Sequence, residues 1–323
     1  MDNNKKMNEL SQKLDQFWEE MSKVIVGRKK ELMHILAALL SKGHVLLEDI
    51  PGTGKTTMVK AFSKGLNCRF SRIQCTPDLL PSDVLGGSIF NPKTSEFIIR
   101  KGPVFTNVLL VDEINRALPR TQSSLLECME EGQISIEGKT YVLDSPFIVL
   151  ATQNPIEMEG TFELPEAQLD RFCMRLKLGY PTQKEEEMML DLVGNEIPYE
   201  KINSLFSPEE IHELQNKCGD VNMHASIREY ITLLANATRN HPLVSLGVSP
   251  RGSKVLYKTV KAWAMLNGRN YVIPDDVKDM VKPVWNHRLI LKTEAHLNGV
   301  LPEDILDELM EKVSLPEEKV VHI

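Results

Sequence analysis

The sequence predicts an α/β domain with a parallel sheet, followed by a domain made only of helices. In the first half of the chain, short apolar runs typical of strands alternate with helical stretches. One of these runs leads through a glycine-containing loop into a helix, and beyond Tyr180 only helical patterns follow. Continuous apolar strands between helices are typical of parallel sheets buried on both faces. We therefore divide the chain into an N-terminal helix (1–22), an α/β core (23–180) and a helical domain (181–323).

The individual elements follow from the spacing of apolar residues. Helical spacing predicts a helix over 7–22 that packs on the core, and a second over Leu32 to Leu40 that Gly43 ends. The runs predicted to be strands of the sheet are Val45 to Leu47, Phe70 to Ile73, Val108 to Val111 and Phe147 to Ala151. The remaining predicted helices are Met58 to Leu66, Thr121 to Glu130, Lys184 to Leu192, Pro208 to Cys218, Ile227 to Thr238, Gly252 to Asn267, Asp275 to Val284 and Pro302 to Val313. Two hairpins are predicted outside the sheet, over 86–99 and 134–143.

The composition is that of an ordinary soluble protein: 323 residues, 42% of them hydrophobic and 26% charged. No apolar stretch approaches the roughly 20 residues that span a bilayer, and the first twenty residues contain no apolar signal segment, so we expect a cytoplasmic protein. The net charge of −7 argues against nucleic-acid binding through dense cationic contact with phosphates. The five cysteines lack paired zinc spacing, which favours reduced thiols over disulfides or zinc.

The segment 45–57 predicts a phosphate-binding loop between a strand and a helix. Gly52 and Gly54 allow backbone N–H groups to point inward, and the helix N-terminus adds its positive dipole end. Lys55 would reach the β and γ phosphates of a bound triphosphate, and the Thr56 hydroxyl would be a ligand of Mg²⁺. The match to the usual loop pattern is partial, because Asp49 stands at the position of its first glycine. The nucleotide-binding residues predicted in this loop are Pro51, Gly52, Thr53, Gly54, Lys55, Thr56 and Thr57.

Polar side chains follow two of the predicted strands. Asp112 and Glu113 come directly after one strand, where Asp112 could hold Mg²⁺ through its waters and Glu113 could orient and polarise an attacking water. A solvated strand end is the alternative for this pair. Asn154 follows the next strand, so its amide would lie at the same sheet edge and could bind the water or the γ phosphate. The alternative for Asn154 is a turn asparagine ahead of proline.

Four runs of sequence resemble the MoxR family of AAA+ ATPases. They are PGTGKTT (51–57), LLVDEINRA (109–117), LATQNP (150–155) and LPEAQLDRF (164–172). The resemblance extends from about Val24 through SPRG at 249–252 and onward through the helical lid. It implies an AAA+ P-loop core with a C-terminal lid, ATP hydrolysis with Mg²⁺, and a homo-oligomeric, hexameric ring. It also implies a chaperone-like role in which the ring matures a partner protein, often one with a von Willebrand A domain.

The resemblance also assigns roles to two arginines. Arg171 is similar to an arginine finger that reaches the γ phosphate held by the neighbouring subunit, where a guanidinium offers bidentate donors to the transferring group. The alternatives are a surface pair between Asp170 and Arg171, or a phosphate-facing role for Arg116 instead. Arg251, in the first turn of a lid helix where a cation opposes the helix dipole, is similar to the second sensor that contacts the γ phosphate. A plain exposed arginine is the alternative.

Two further regions are expected to make contacts. Val26 and Gly27 resemble the segment that lines the adenine pocket, with a buried turn as the alternative. The hairpins place Phe90, Phe97 and Tyr141 on partly exposed faces, where they would contact a partner protein or seal the seam between subunits.

Three other functions remain compatible with these residues. One is the motor of a metal-insertion complex similar to the magnesium chelatase ATPase subunit, which capture of partner proteins would discriminate from a remodelling chaperone. A second is a nucleotide-loaded scaffold without significant turnover. A third is a nucleic-acid motor, which the acidic composition disfavours.

Overall fold

A five-stranded parallel sheet forms the centre of the computed structural model, which describes residues 2–48, 52–93, 95–154, 160–191, 194 and 198–315, with side chains from Met7 onward. The strands of the molecule are β1 (Val45–Glu48), β2 (Phe70–Gln74), β3 (Gly86–Asn91), β4 (Glu96–Lys101), β5 (Val108–Asp112), β6 (Gln133–Ile136), β7 (Lys139–Val142), β8 (Ile148–Gln153), β9 (Met174–Lys177), β10 (Val244–Leu246) and β11 (Ile290–Leu291). The helices are α1 (Asp2–Ser22), α2 (Lys29–Leu40), α3 (Lys55–Gly65), α4 (Pro81–Leu85), α5 (Pro119–Glu131), α6 (Glu166–Leu169), α7 (Gln183–Asp191), α8 (Pro208–Lys217), α9 (Ala225–Asn240), α10 (Pro250–Leu266), α11 (Pro274–Trp285), α12 (Thr293–Leu297) and α13 (Pro302–Lys312).

The central sheet has the strand order β2-β5-β8-β1-β9, and every neighbouring pair is parallel. All strands therefore begin at one edge of the sheet, which we call the amino edge, and end at the other, the carboxyl edge. The register fixes these edges: Val45 pairs with Leu150 and with Met174 at the start of β1. The strands β5 and β8 are buried on both faces, as their continuous apolar sequences predict.

The four strands predicted from apolar runs are confirmed, as are the two hairpins, β3–β4 and β6–β7. The fifth strand, β9, was not predicted. In its four residues the buried Met174 and Leu176 alternate with Arg175 and Lys177, because β9 lies at the edge of the sheet. So short an alternation does not distinguish an edge strand from a loop.

Among the helices that follow β9, α10 is central: it packs against α9 and α11, and also against α2. Apolar residues of these helices join those of α1, α2, α3 and the sheet in one continuous core, in which Phe17, Phe62 and Trp285 are fully buried. The helix α8 begins at a capping box: the Ser207 hydroxyl accepts from the Glu210 N–H at 3.3 Å, and the Glu210 carboxylate accepts from the Ser207 N–H at 2.8 Å. No helix among the described residues has the length and apolarity of a membrane span.

A buried histidine lies where α2 meets α10. The ring of His34 stacks on Trp263, with ring centroids 4.9 Å apart, and its Nε2 has no hydrogen-bond partner among the described residues. Burial, and secondarily the charge of Lys30, lowers the pKa of His34 to about 4. The unfolded chain therefore binds this proton more tightly than the folded protein between the ordinary histidine pKa of about 6.5 and about 4. Folding stability from this group is fully present above that window and is lost as the pH falls through it.

We expect His34→Phe to make the protein less sensitive to acid. The phenyl ring keeps the stack on Trp263 but cannot be protonated, so up to about 3 kcal/mol of the stability lost between pH 7 and pH 4 should disappear. Urea unfolding at several pH values measures this difference. His296→Phe, at an exposed histidine of α12, is the control. An unchanged pH dependence in His34→Phe would show that the pKa of this ring is the same in the folded and the unfolded protein.

Candidate functional site

A cleft of about 260 Å³ at the carboxyl edge of the sheet brings together residues from distant parts of the sequence. Its lining consists of Gly52, Thr53, Gly54, Lys55, Thr56, Thr57, Arg72, Gln74, Asp112, Glu113, Thr152 and Asn154. The described lining thus comes entirely from segments before β9, and none of it comes from the helices that follow. The predicted residue Pro51, and Asp49 with it, lie outside the described residues.

The loop before α3 has the backbone that a phosphate requires. Gly52 and Gly54 have φ angles of +88° and +78°, in the left-handed region that favours glycine. A Cβ added at either glycine would find no atom within 4 Å, so both positions face open space. Gly54 is the N-cap of α3 and has no side chain to cap it, and the first turn of the helix contains no acidic residue. The exposed N–H groups and dipole of this terminus therefore suit an anion.

Glu113 is held in an unusual backbone conformation. Its φ of +58° is left-handed, which costs an L-residue roughly 1–2 kcal/mol. The Glu113 N–H donates to Thr152 Oγ1 at 2.9 Å, and this bond from the neighbouring strand helps to fix the conformation. The carboxylate accepts from Gln74 Nε2 at 2.9 Å and lies 3.2 Å from Arg116 Nε. The strain and both contacts aim this carboxylate along the cleft, as expected of a functional side chain.

Asp112 lies deeper in the cleft and is buried. Its Oδ1 accepts from Thr152 Oγ1 at 3.3 Å, and its Oδ2 pairs with Arg72 Nε at 2.6 Å. Asn154, also buried, completes this end of the lining.

The donors in the cleft fit Mg²⁺ bound together with a nucleotide. Among the described residues, no three acidic, histidine or cysteine side chains are placed together so that they could hold a metal ion without other ligands. Mg²⁺ typically uses one or two protein ligands together with waters and phosphate oxygens, a set to which Asp112 and Thr56 could contribute. A bound Mg²⁺ would neutralise charge that develops on the phosphate oxygens.

Three residues of the cleft were not predicted from the sequence: Arg72, Gln74 and Thr152. Arg72 and Gln74 lie two residues apart on β2 and share one face of it, and Gln74 is in register with Asp112. The sequence offered one signal for these residues, the polar end of an otherwise strand-like segment. That signal predicts a place in the site only if β2 is known to lie beside β5. Cys75 follows β2, and burial, reinforced by the charges of Asp112 and Glu113, raises its pKa to about 12, so its thiol stays neutral.

Arg171 and Arg251 lie together on a second surface, bridged by one carboxylate. Glu130, at the end of α5, is 3.3 Å from Arg171 Nη1 through one oxygen and 3.2 Å from Arg251 Nη2 through the other. These residues line a depression of about 290 Å³ that also includes Lys254 and Lys258. The alternative of a pair between Asp170 and Arg171 is not what the structure shows, because the Asp170 carboxylate pairs with Arg288.

This second surface lies at the amino edge of the sheet, away from the cleft. Arg171 comes three residues before Met174, which pairs with Val45 at the start of β1. With a rise of about 3.3 Å per residue, the four residues of β1 alone separate the two edges by about 13 Å. For Arg171 this agrees with a role on a neighbouring subunit. The lid places Arg251 beside Arg171 and not among the lining residues of the cleft of its own chain.

His44 connects this surface to the sheet through two hydrogen bonds. Its Nδ1 accepts from the Val149 N–H at 3.0 Å and its Nε2 lies 2.8 Å from the Met129 carbonyl, to which it donates. Burial lowers the pKa of His44 to about 4, so the ring is neutral and its one proton goes to Met129. The bond fixes the residue next to Glu130 and thereby the carboxylate that bridges the arginines.

Val26 and Gly27 lie on the loop between α1 and α2, near the carboxyl edge. The next residue, Arg28, donates to the carbonyls of Leu178 and Gly179, directly after β9 ends, the second bond measuring 2.8 Å. The loop is therefore near the strand that precedes the phosphate loop, although Val26 and Gly27 are not among the lining residues of the cleft.

Comparisons with known proteins agree with this architecture and define an AAA+ ATPase fold with an α/β core and a helical lid. The model of the "ATPase family associated with various cellular activities (AAA)" matches residues 44–174, and that of the "AAA lid domain" matches residues 236–309. A crystal structure of a candidate ATPase from Cytophaga hutchinsonii superposes with a TM-score of 0.91 at 39% identity, covering 97% of this chain and 98% of that one.

Two relatives show the family more narrowly. The chain is 50% identical over 298 residues to YeaC of Bacillus subtilis, covering 92% of this chain and 93% of that protein. It is 40% identical over 311 residues to Chaperone MoxR1 of Mycobacterium tuberculosis, covering 94% of this chain and 82% of that protein. The chain belongs to the MoxR family of AAA+ ATPases.

Proposed function

We propose that this chain binds ATP with Mg²⁺ in the carboxyl-edge cleft and hydrolyses it as one subunit of a hexameric ring. The observation that carries the proposal is the separation of the two sets of residues. The phosphate loop and the carboxylates converge on the cleft, whereas Arg171 and Arg251 lie at the opposite edge of the sheet. A copy of the chain can then complete only the cleft of a neighbour with its arginines.

The residues proposed to contact the nucleotide have distinct parts in this reaction. Lys55 and the N-terminus of α3 hold the β and γ phosphates, and Val26 and Gly27 lie beside the base. Thr56 and Asp112 are the residues that would hold Mg²⁺. Glu113 accepts a proton from the attacking water.

The γ phosphate is contacted from two sides in the proposed site. Asn154 binds it, or the attacking water, from within the same chain. Arg171 of the neighbouring subunit adds charge-assisted donors to the transferring phosphoryl group. We assign the γ-phosphate contact of Arg251 to the neighbour's site as well, because Glu130 pairs with both arginines.

The output we propose is the remodelling of a partner protein by a cytoplasmic ring. Support comes from the relative named as a chaperone and from the exposed aromatic pair at β3–β4. Phe97 is 74% exposed and Phe90 is 54% exposed, and their rings are 5.4 Å apart. A photo-cross-linker at position 97 would capture the client under this proposal. Cross-links to neighbouring subunits alone would show that the hairpin seals a seam.

The proposal is tested by ATP turnover across a series of protein concentrations, with oligomeric state followed by light scattering in the same samples. We expect turnover per subunit to rise as rings form, because isolated subunits lack the neighbour's arginine. Lys55→Ala, which removes the phosphate-binding ammonium, is the control for contaminating ATPases and should show neither binding nor turnover. Tight ATP binding with negligible turnover in fully formed rings would identify a nucleotide-dependent scaffold instead.

A further inference from the structure

Arg288 of the lid is buried against the loop that carries Arg171. It lies three residues after α11 ends, and its guanidinium is the partner that neutralises Asp170, with Nε 2.7 Å from Oδ1. Its side chain is 2% exposed, so the ion pair is largely shielded from water on the arginine side. A charge so deeply buried is retained only where its partners are well placed.

The remaining donors of Arg288 hold the backbone on both sides of Arg171. Its Nη2 donates to the carbonyls of Asp170 at 3.1 Å and Phe172 at 2.6 Å, and its Nη1 donates to the carbonyl of Cys173 at 3.2 Å. The guanidinium is planar and its donors have a fixed geometry, so these bonds determine the path of the loop. We call these hydrogen bonds the Arg288 bracket, and Arg171 lies between the first two carbonyls that it holds.

Further contacts join the same loop and strand to the lid. Ser249, the N-cap of α10, donates to Asp170 Oδ2 at 3.3 Å. Asn286 and Arg175 exchange hydrogen bonds between side chain and main chain, at 3.2 and 3.3 Å. His287 Nε2 also lies 3.1 Å from the Phe172 carbonyl, so the lid contacts the segment 170–175 at several points, and any rotation of the lid must move this segment or break these bonds.

We propose that Arg288 is a positioning residue for the arginine finger, through which the lid sets the place of Arg171 at the neighbour's cleft. This inference rests on the proposed function, because Arg171 has a catalytic role only when another subunit holds the nucleotide. If the lid changes position with the nucleotide that its own subunit binds, it would thereby control hydrolysis in the adjacent subunit. The control would pass through Asp170 and the carbonyls around Arg171.

A double-mutant cycle tests the inference. Arg288→Met is expected to lower turnover by about 10²-fold, the cost of a misplaced catalytic group, without changing the ATP affinity of its own cleft. In the Arg171→Ala background, the same change should lower turnover by less than about twofold, because the group it positions is already absent. If Arg288 has only a structural role, the loss of turnover from Arg288→Met should instead multiply with the loss from Arg171→Ala.

The matched control is Arg269→Met. Arg269 forms a bidentate pair with the buried Asp276, at 2.6 and 2.5 Å, inside the lid and away from the segment 170–175. Any loss of turnover from Arg269→Met should therefore multiply with the loss from Arg171→Ala. If both arginine variants behave alike in the cycle, the positioning role is refuted.

Subunit mixing provides a second readout. Subunits with Lys55→Ala cannot hold nucleotide but carry an intact finger, so adding them to Arg288→Met subunits should restore part of the turnover. Absence of rescue, with mixed rings verified, would place the defect of Arg288→Met in its own cleft and overturn the inference. If Arg288→Met does not fold, Asp170→Asn, which weakens the same bracket, takes its place in the cycle and in the mixing, with the same outcomes decisive.

The two levels of the proposal fail differently. Unchanged turnover in Arg171→Ala alone would overturn the proposed function of that residue, and this inference with it. A large loss in Arg171→Ala together with unchanged turnover in Arg288→Met would overturn only the inference.

Discussion

Arg171→Ala is expected to reduce ATP turnover by on the order of 10³-fold while leaving ATP affinity almost unchanged. The reduction follows from the loss of a guanidinium that stabilises charge developing on the transferring phosphoryl group. The affinity should change little because the phosphate loop of each cleft is unaltered, and because the charge that the neighbour's Arg171 stabilises is largest in the transition state. Steady-state turnover and ATP titration on the same rings measure the two quantities.

Mixed rings test whether Arg171 acts in the neighbouring subunit. A subunit with Arg171→Ala keeps its own Glu113, and a subunit with Glu113→Gln keeps its own Arg171, so mixing the two inactive variants should create some complete sites. Arg171→Lys is the control for charge. Its ATP turnover should remain well below that of the unaltered protein, because lysine lacks the bidentate geometry. If the mixture hydrolyses ATP no faster than the two variants do separately, Arg171 does not act on the cleft of a neighbouring subunit.

Glu113→Gln is expected to lower turnover by roughly 10²–10⁴-fold, the usual contribution of a general base. The amide retains the shape of the carboxylate but cannot accept a proton from water. ATP binding should persist, because the phosphate loop and Asp112 are unchanged. Single-turnover hydrolysis of labelled ATP, together with binding measured separately, distinguishes the lost chemical step from lost binding.

A suitable control for this variant is Glu127→Gln, at an exposed carboxylate of α5. It removes the same charge outside the cleft and should leave turnover within about twofold, as expected of a surface substitution. Equal turnover in Glu113→Gln and the unaltered protein would remove Glu113 from the mechanism, despite its strained backbone and its contacts with Gln74 and Arg116.

The sequence predicted the parts of the fold that have strong local signals. The strands β1, β2, β5 and β8 were recognisable because their apolar runs sit between helical stretches. The edge strand β9 was not recognisable. It has only four residues, in which buried Met174 and Leu176 alternate with basic residues, and so short a pattern resembles a loop. The order of the strands depends on contacts between distant segments, which no local pattern contains.

The candidate site was predictable where its residues are adjacent in sequence. The glycines, Lys55 and Thr56 form one continuous motif, and Asp112 with Glu113 form another. Gln74 contacts Glu113 only because β2 lies beside β5, and Glu130 meets two arginines that are 80 residues apart in the sequence. The place of Arg251 was not predictable for a similar reason, since the packing of the lid and not the helix start decides which edge it faces.

Under the proposed function, the position of the cleft and the arginine pair at opposite edges of the sheet gives the assembly of this protein a direction. The surface that offers arginines would have to meet the surface that offers a cleft, so contacts between copies would be head-to-tail rather than two-fold symmetric. An open row of subunits then always ends in one uncompleted cleft at one end and one idle arginine pair at the other. Only closure removes both ends, so one missing subunit leaves one remaining subunit without a working site.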